Sequence, residues 1–72
     1  MKPEYFPKTV DTKLSYLVEE CGEVLAAVGK AKRFGLESRN PELGSDSETN
    51  RPWILRELAD LQYAVLTVFD AL

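Results

Sequence analysis

Two acidic clusters carry the chemistry available to this chain: Glu19-Glu20-Cys21-Gly22-Glu23 and the shorter Glu57-Leu58-Ala59-Asp60. Both lie inside long apolar-periodic runs, a pattern that predicts helix. Helical residues three and four apart are neighbours, so Glu20 sits beside Glu23 and Glu57 beside Asp60. Like charges at that spacing destabilise a helix by a few tenths of a kcal/mol per pair, and a sequence selected for helix stability alone places Lys or Arg one turn away. Here the residues one turn from Glu20 are Tyr16 and Val24, from Glu23 they are Glu19 and Ala27, and from Glu57 they are Trp53 and Leu61; only Asp60 has a basic neighbour, Arg56. A hard cation is the simplest neutralising partner. With no histidine and one cysteine, the usual zinc sets are excluded. Four carboxylates suit Mg²⁺ or Mn²⁺ instead. An ion of that kind binds phosphate oxygens and makes water a better nucleophile, while proton transfer falls to a carboxylate or to the water itself.

Other side chains on the same face are candidates for substrate contacts. Tyr16 lies one turn before Glu20 and Trp53 one turn before Glu57; either ring can stack on a base, and either can equally cover a helix seam. Lys30 extends the acidic face toward the connector and can meet a phosphate, as can Arg51 or Arg39. Lys30 and Arg33 also suit the negative end of a helix dipole. Cys21 falls in the apolar seam, where a buried, inert thiol is expected. Glu19 points away from the acidic face and receives no ligand role.

The elements that must position these groups are simple. Seventy-two residues make one small domain, residues 1–72. Residues 1–8 hold Pro3 and Pro7 and read as an extended arm, with Tyr5 and Phe6 expected to tuck against the body. A helix over 9–34 starts at a Thr9 or Asp11 cap and stops at Gly35. Its expected seam is Leu14, Leu17, Cys21, Val24, Val28 and Ala31. Residues 35–50 form a polar, mobile connector around Pro41 and Gly44. A second helix over 51–72, capped by Thr49 or Asn50 with Pro52 in its first turn, repeats the three-four spacing at Ile54, Leu58, Leu61, Val65, Val68 and Leu72.

A helix turns about 100° per residue, which puts Glu20 roughly 60° and Glu23 roughly 120° to one side of the first seam's centre. Glu57 and Asp60 have about the same two offsets on the second helix, in the same rotational sense. Antiparallel packing of the two seams therefore brings all four carboxylates to one side, whereas parallel packing separates the pairs. On the opposite flank, Val18, Gly22, Leu25 and Gly29 form one stripe and Leu55, Ala59, Leu66 and Phe69 another. Gly22 and Gly29 each cost about 1 kcal/mol against Ala within a helix, which suggests close approach by another helix. The expected fold is all-α, an antiparallel helical hairpin that oligomerises as a homodimer or homotetramer into a four-helix bundle.

Composition narrows the function further. The net charge of −3 argues against a general nucleic-acid binder or an acidic-membrane binder. Removing the four paired carboxylates leaves eight acids against nine bases, a nearly neutral chain with one acidic site. One cysteine allows no internal disulfide. No apolar run approaches the roughly 20 residues that span a bilayer, and there is no signal-peptide pattern, so a cytoplasmic protein is expected.

Lys13-Leu14 through Glu19-Glu20-x-x-Glu23-Val24, followed by Glu57-Leu58-Ala59-Asp60-Leu61, resembles the MazG-like all-α nucleoside triphosphate pyrophosphohydrolases, whose pattern is EExxE on one helix and ExxD on a later one. The resemblance covers both helices. It implies Mg²⁺-dependent cleavage between the α and β phosphates of a nucleoside triphosphate, giving a monophosphate and pyrophosphate, often to remove non-standard or surplus nucleotides. It also implies ligand roles for Glu20, Glu23, Glu57 and Asp60 and sites near subunit interfaces. Two other readings compete with it: a non-catalytic helical oligomer that binds a divalent ion or nucleotide, and a purely structural helix-pairing module.

Overall fold

Helix begins where side chains can satisfy its free amides. Thr9 takes that place in the computed structural model, which describes residues 7–39 and 48–72. The Thr9 hydroxyl accepts from the Thr12 amide at 3.1 Å, and the Thr12 hydroxyl accepts from the Thr9 amide at 3.0 Å. This reciprocal cap opens α1, Val10–Phe34, with Asp11 in the first turn and Lys32 and Arg33 in the last. Both charge placements favour the helix dipole. Gly35 ends α1 at φ 101°, its amide donating to the Ala31 carbonyl at 2.7 Å; a side chain in that backbone conformation is strained.

The second helix, α2, spans Asn50–Ala71. Its Thr49 cap makes no side-chain hydrogen bond to the helix. The first amides are satisfied by the connector instead: Asn50 donates to the Ser38 carbonyl and Arg51 to the Leu36 carbonyl, each at 2.9 Å. The Asn50 side chain reaches the Gly35 carbonyl at 2.9 Å, and Arg51 pairs with Glu37 at 2.6 Å. An isolated antiparallel bridge joins Arg39 and Thr49. The base of the connector is thus a closed polar clasp that ties the end of α1 to the start of α2. Residues 1–6, with the expected Tyr5 and Phe6 contacts, and residues 40–47, with Pro41 and Gly44, lie outside the described residues.

The two helices pack as a hairpin. Tyr16 meets Tyr63 edge to face at 6.2 Å between ring centres, and Lys30 lies over Trp53 at 5.7 Å. Ascending α1 therefore corresponds to descending α2, and the helices are antiparallel as expected.

The contact surface differs from the expected seam. On α1 the buried residues are Tyr16, Glu20, Ala27 and Ala31; on α2 they are Asn50, Ala64 and Val68. Leu14, Cys21 and Val28 on the first helix are exposed, as are Leu58, Val65 and Leu72 on the second. Only Ala31 and Val68 of the expected seam are buried, with Leu17, Val24, Ile54 and Leu61 half-buried. On the helical wheel both contact lines turn roughly 60–80° toward the carboxylate side. Ala27 and Ala64, both 0% exposed, are small side chains buried at two separate levels of the contact. Cys21, expected buried, is an exposed thiol. Val18, Leu25, Leu55, Leu66 and Phe69 are exposed, and a Cβ added at Gly22 or Gly29 would meet nothing. The close approach expected at these glycines is not made within the hairpin.

Candidate metal centre

The rotation moves two carboxylates from the flank into the helix–helix contact. Glu20 falls near the middle of the α1 contact line and Glu57 near the middle of that on α2, and Glu23 stands one turn from Glu20. One ligand oxygen from each of Glu20, Glu23 and Glu57 can be chosen so that all three lie within 4.8 Å of one another. Glu20 is only 7% exposed, and Glu57 is half-buried. The Oε2 atoms of both are buried and have no hydrogen-bond partner. A buried polar atom without a partner is expensive, and a charged one more so.

Crowding shows in the protonation. The Glu23 pKa rises to about 7, chiefly through its hydrogen bond to Glu57 and then through burial and the charge on Glu20. Burial raises Glu20, and the Asp60 charge adds to this, while a hydrogen bond with Glu23 works in the opposite direction. A proton on Glu23 is favoured chiefly by the hydrogen bond to Glu57. Asp60 is exposed and stands outside the 4.8 Å group, but its charge bears on both Glu20 and Tyr16. Arg56, the basic neighbour of Asp60 in sequence, forms an ion pair with Glu48.

The expected substrate contacts divide. Tyr16 is buried and packed against Tyr63, so the ring expected to stack on a base is part of the core beneath the carboxylates; burial raises its pKa, with Glu20 and Asp60 adding to the shift. Trp53 donates its indole N–H to Glu57 Oε1 at 3.2 Å, and Lys30 covers its ring. Arg51 is engaged by Glu37 at the connector clasp, and Glu19 is exposed. Tyr63 and the Trp53–Glu57 bond were not anticipated. The second had a visible signal, a donor four residues before an acid on one helix face.

The donor set fits a hard divalent cation: oxygen ligands only, three crowded carboxyl groups, and two buried oxygens without a hydrogen-bond partner. No helix among the described residues is long and apolar enough to cross a membrane. Comparison with protein-family models, with curated proteins and with solved structures finds no match to this chain.

Proposed function

We propose that this chain is a Mg²⁺-dependent nucleoside triphosphate pyrophosphohydrolase, with Mn²⁺ an alternative ion. The observation that carries the reading is the meeting of Glu20, Glu23 and Glu57 with two of their buried oxygens unpartnered. The EExxE and ExxD spacing that resembles MazG-like enzymes supports the choice of reaction. Water adds across the α–β anhydride, and a (deoxy)nucleoside triphosphate becomes a monophosphate and pyrophosphate.

Glu20, Glu23, Glu57 and Asp60 are the proposed ligands. Mg²⁺ held there supplies Lewis acidity that polarises phosphate oxygens and makes water more acidic. Glu20 and Glu57 offer oxygens with no protein partner, so binding an ion breaks no existing bond at those atoms. Glu23 must release its proton to join them, and its pKa of about 7 makes that release easy at neutral pH. Asp60 stands at the solvent edge and adds negative charge to the set. Lys30, next to Glu57 by way of Trp53, is the cation proposed for the substrate's phosphates.

The exposed apolar flank calls for a second copy. Val18, Leu25, Leu55, Leu66 and Phe69 lie on one side of the hairpin, with Phe69 80% exposed. A homodimer or homotetramer in a four-helix arrangement covers them. The exposed lone thiol of Cys21 suits a reducing, cytoplasmic setting.

The test is a panel of canonical and modified nucleoside triphosphates, with and without Mg²⁺, assayed for pyrophosphate. Pyrophosphate release that needs Mg²⁺ and disappears in Glu23→Gln supports the proposal. Saturable Mg²⁺ binding with no product from any triphosphate replaces it with a non-catalytic metal-binding oligomer.

A further inference from the structure

Trp53 was expected to present its ring to a base. Its observed contacts point elsewhere. The indole N–H lies 3.2 Å from Glu57 Oε1, and the Lys30 ammonium lies 5.7 Å from the ring centre. One contact comes from within α2 and the other from α1, so the indole is gripped along its edge and on its face by different helices. A cation over the face of tryptophan is an attractive contact, and it fixes the ring plane from which the N–H projects.

Glu57 is the carboxylate with most to gain from such a grip. It is the only member of the triad contributed by α2, and it has two oxygens to distribute. Trp53 occupies Oε1. That leaves Oε2, buried and without a partner in the protein, as the oxygen available to a ligand. Hydrogen bonds to the outer oxygen of a ligating carboxylate orient the ligand and tune the ion, and losing one typically weakens metal binding by about 10- to 100-fold.

We infer that Trp53 is a positioning residue, which fixes Glu57 through its indole N–H so that Oε2 faces the ion, with Lys30 holding the indole in place. This rests on the metal-site reading above. It gives Trp53 and Lys30 a shared task within the protein, in place of direct contact between Trp53 and a base.

Trp53→Phe keeps an aromatic ring for Lys30 and removes the donor. Mn²⁺ affinity of the full chain, measured by electron paramagnetic resonance, should fall by about 10- to 100-fold in Trp53→Phe, while ion-free helicity by circular dichroism stays at the parent level. Lys30→Gln should weaken Mn²⁺ binding by a smaller factor. Trp53 is the chain's one tryptophan, so the parent also carries its own probe. Its single indole N–H resonance should shift on Mg²⁺ addition, with the same midpoint as binding, whether or not the variant folds. Undiminished Mn²⁺ affinity in folded Trp53→Phe, with Glu57→Gln defective, overturns the role of Trp53 and leaves the metal site standing. An indole resonance unmoved by saturating Mg²⁺ overturns it as well. A parent that binds no Mn²⁺ removes both readings together.

Discussion

The two long sides of the hairpin are inverted relative to an ordinary soluble protein. Where the helices touch, the buried set includes a glutamate at 7% exposure and an asparagine, and its two most deeply buried residues are alanines. Where the hairpin faces outward, leucines, valines and a phenylalanine stand in the open, with Leu25 at 73% exposure. Burying carboxylates opposes folding, and so does exposing large apolar side chains. The inner side crowds acidic groups together and the outer side leaves apolar side chains uncovered; the proposed ion and the proposed second copy each answer one of these features.

The largest expected effect comes from the inner side. Glu20→Gln or Glu57→Gln should abolish Mg²⁺-dependent pyrophosphate release while leaving the helical circular dichroism spectrum intact. Turnover at the parent rate in both would mean that the cluster does no chemistry. The outer side comes next. Leu25→Lys combined with Phe69→Lys should lower the mass measured by analytical ultracentrifugation, because charge cannot be buried in a partner's apolar face. An unchanged mass would show that this side is not the contact.

The packing at Ala64 is the third target. Ala64→Leu forces extra volume into a position with 0% exposure, and overpacking of that kind costs about 1–3 kcal/mol. Chemical denaturation should report it, together with weaker metal binding as Glu20 and Glu57 move apart. The smallest effect belongs to the helix start. Thr9→Ala removes the reciprocal cap and should cost about 1 kcal/mol of stability with no change in metal affinity.

The inner side also has a pH signature. Glu23 has its pKa near 7 in the folded chain against an ordinary 4.5, so between those values the folded chain holds a proton that the unfolded chain has lost. Stability falls with pH wherever the folded state binds more protons. Ion-free protein should therefore be most stable below 4.5, lose stability as pH rises toward 7, and level off above; Glu20, also raised, acts in the same direction. Mg²⁺ displaces the same proton, so its affinity should climb through that window and then level off. Thermal melts with and without Mg²⁺ across the range check both trends, and Glu23→Gln should flatten them.

Much of this arrangement was legible in the residues. Thr9, Gly35 and Pro52 marked the helix limits because caps and breakers act locally. The matched offsets of the two acid pairs foretold four carboxylates on one side; Glu20, Glu23 and Glu57 come together, and Asp60 stands outside the group. The face of contact was not legible. Leu14, Val28, Leu58 and Val65 have the spacing of a seam, but the apolar surface of each helix is wider than one partner can cover. The strip that is buried contains Ala27 and Ala64, and periodicity counts an alanine as a weak apolar residue. The same blindness hid the exposure of Cys21, which follows from the rotation; Tyr16, read as either a stacking ring or a seam cover, is buried. The clasp of Asn50 on Gly35 was out of reach because it depends on where the helices sit after they pack.

All of this turns on whether Glu20, Glu23 and Glu57 close around one ion. Mn²⁺ titrated into the protein above pH 7 and followed by electron paramagnetic resonance measures that directly. Saturation at one ion per chain, competed by Mg²⁺ and lost in Glu20→Gln, is the predicted result. Binding that never saturates, or that survives Glu20→Gln unchanged, would contradict it.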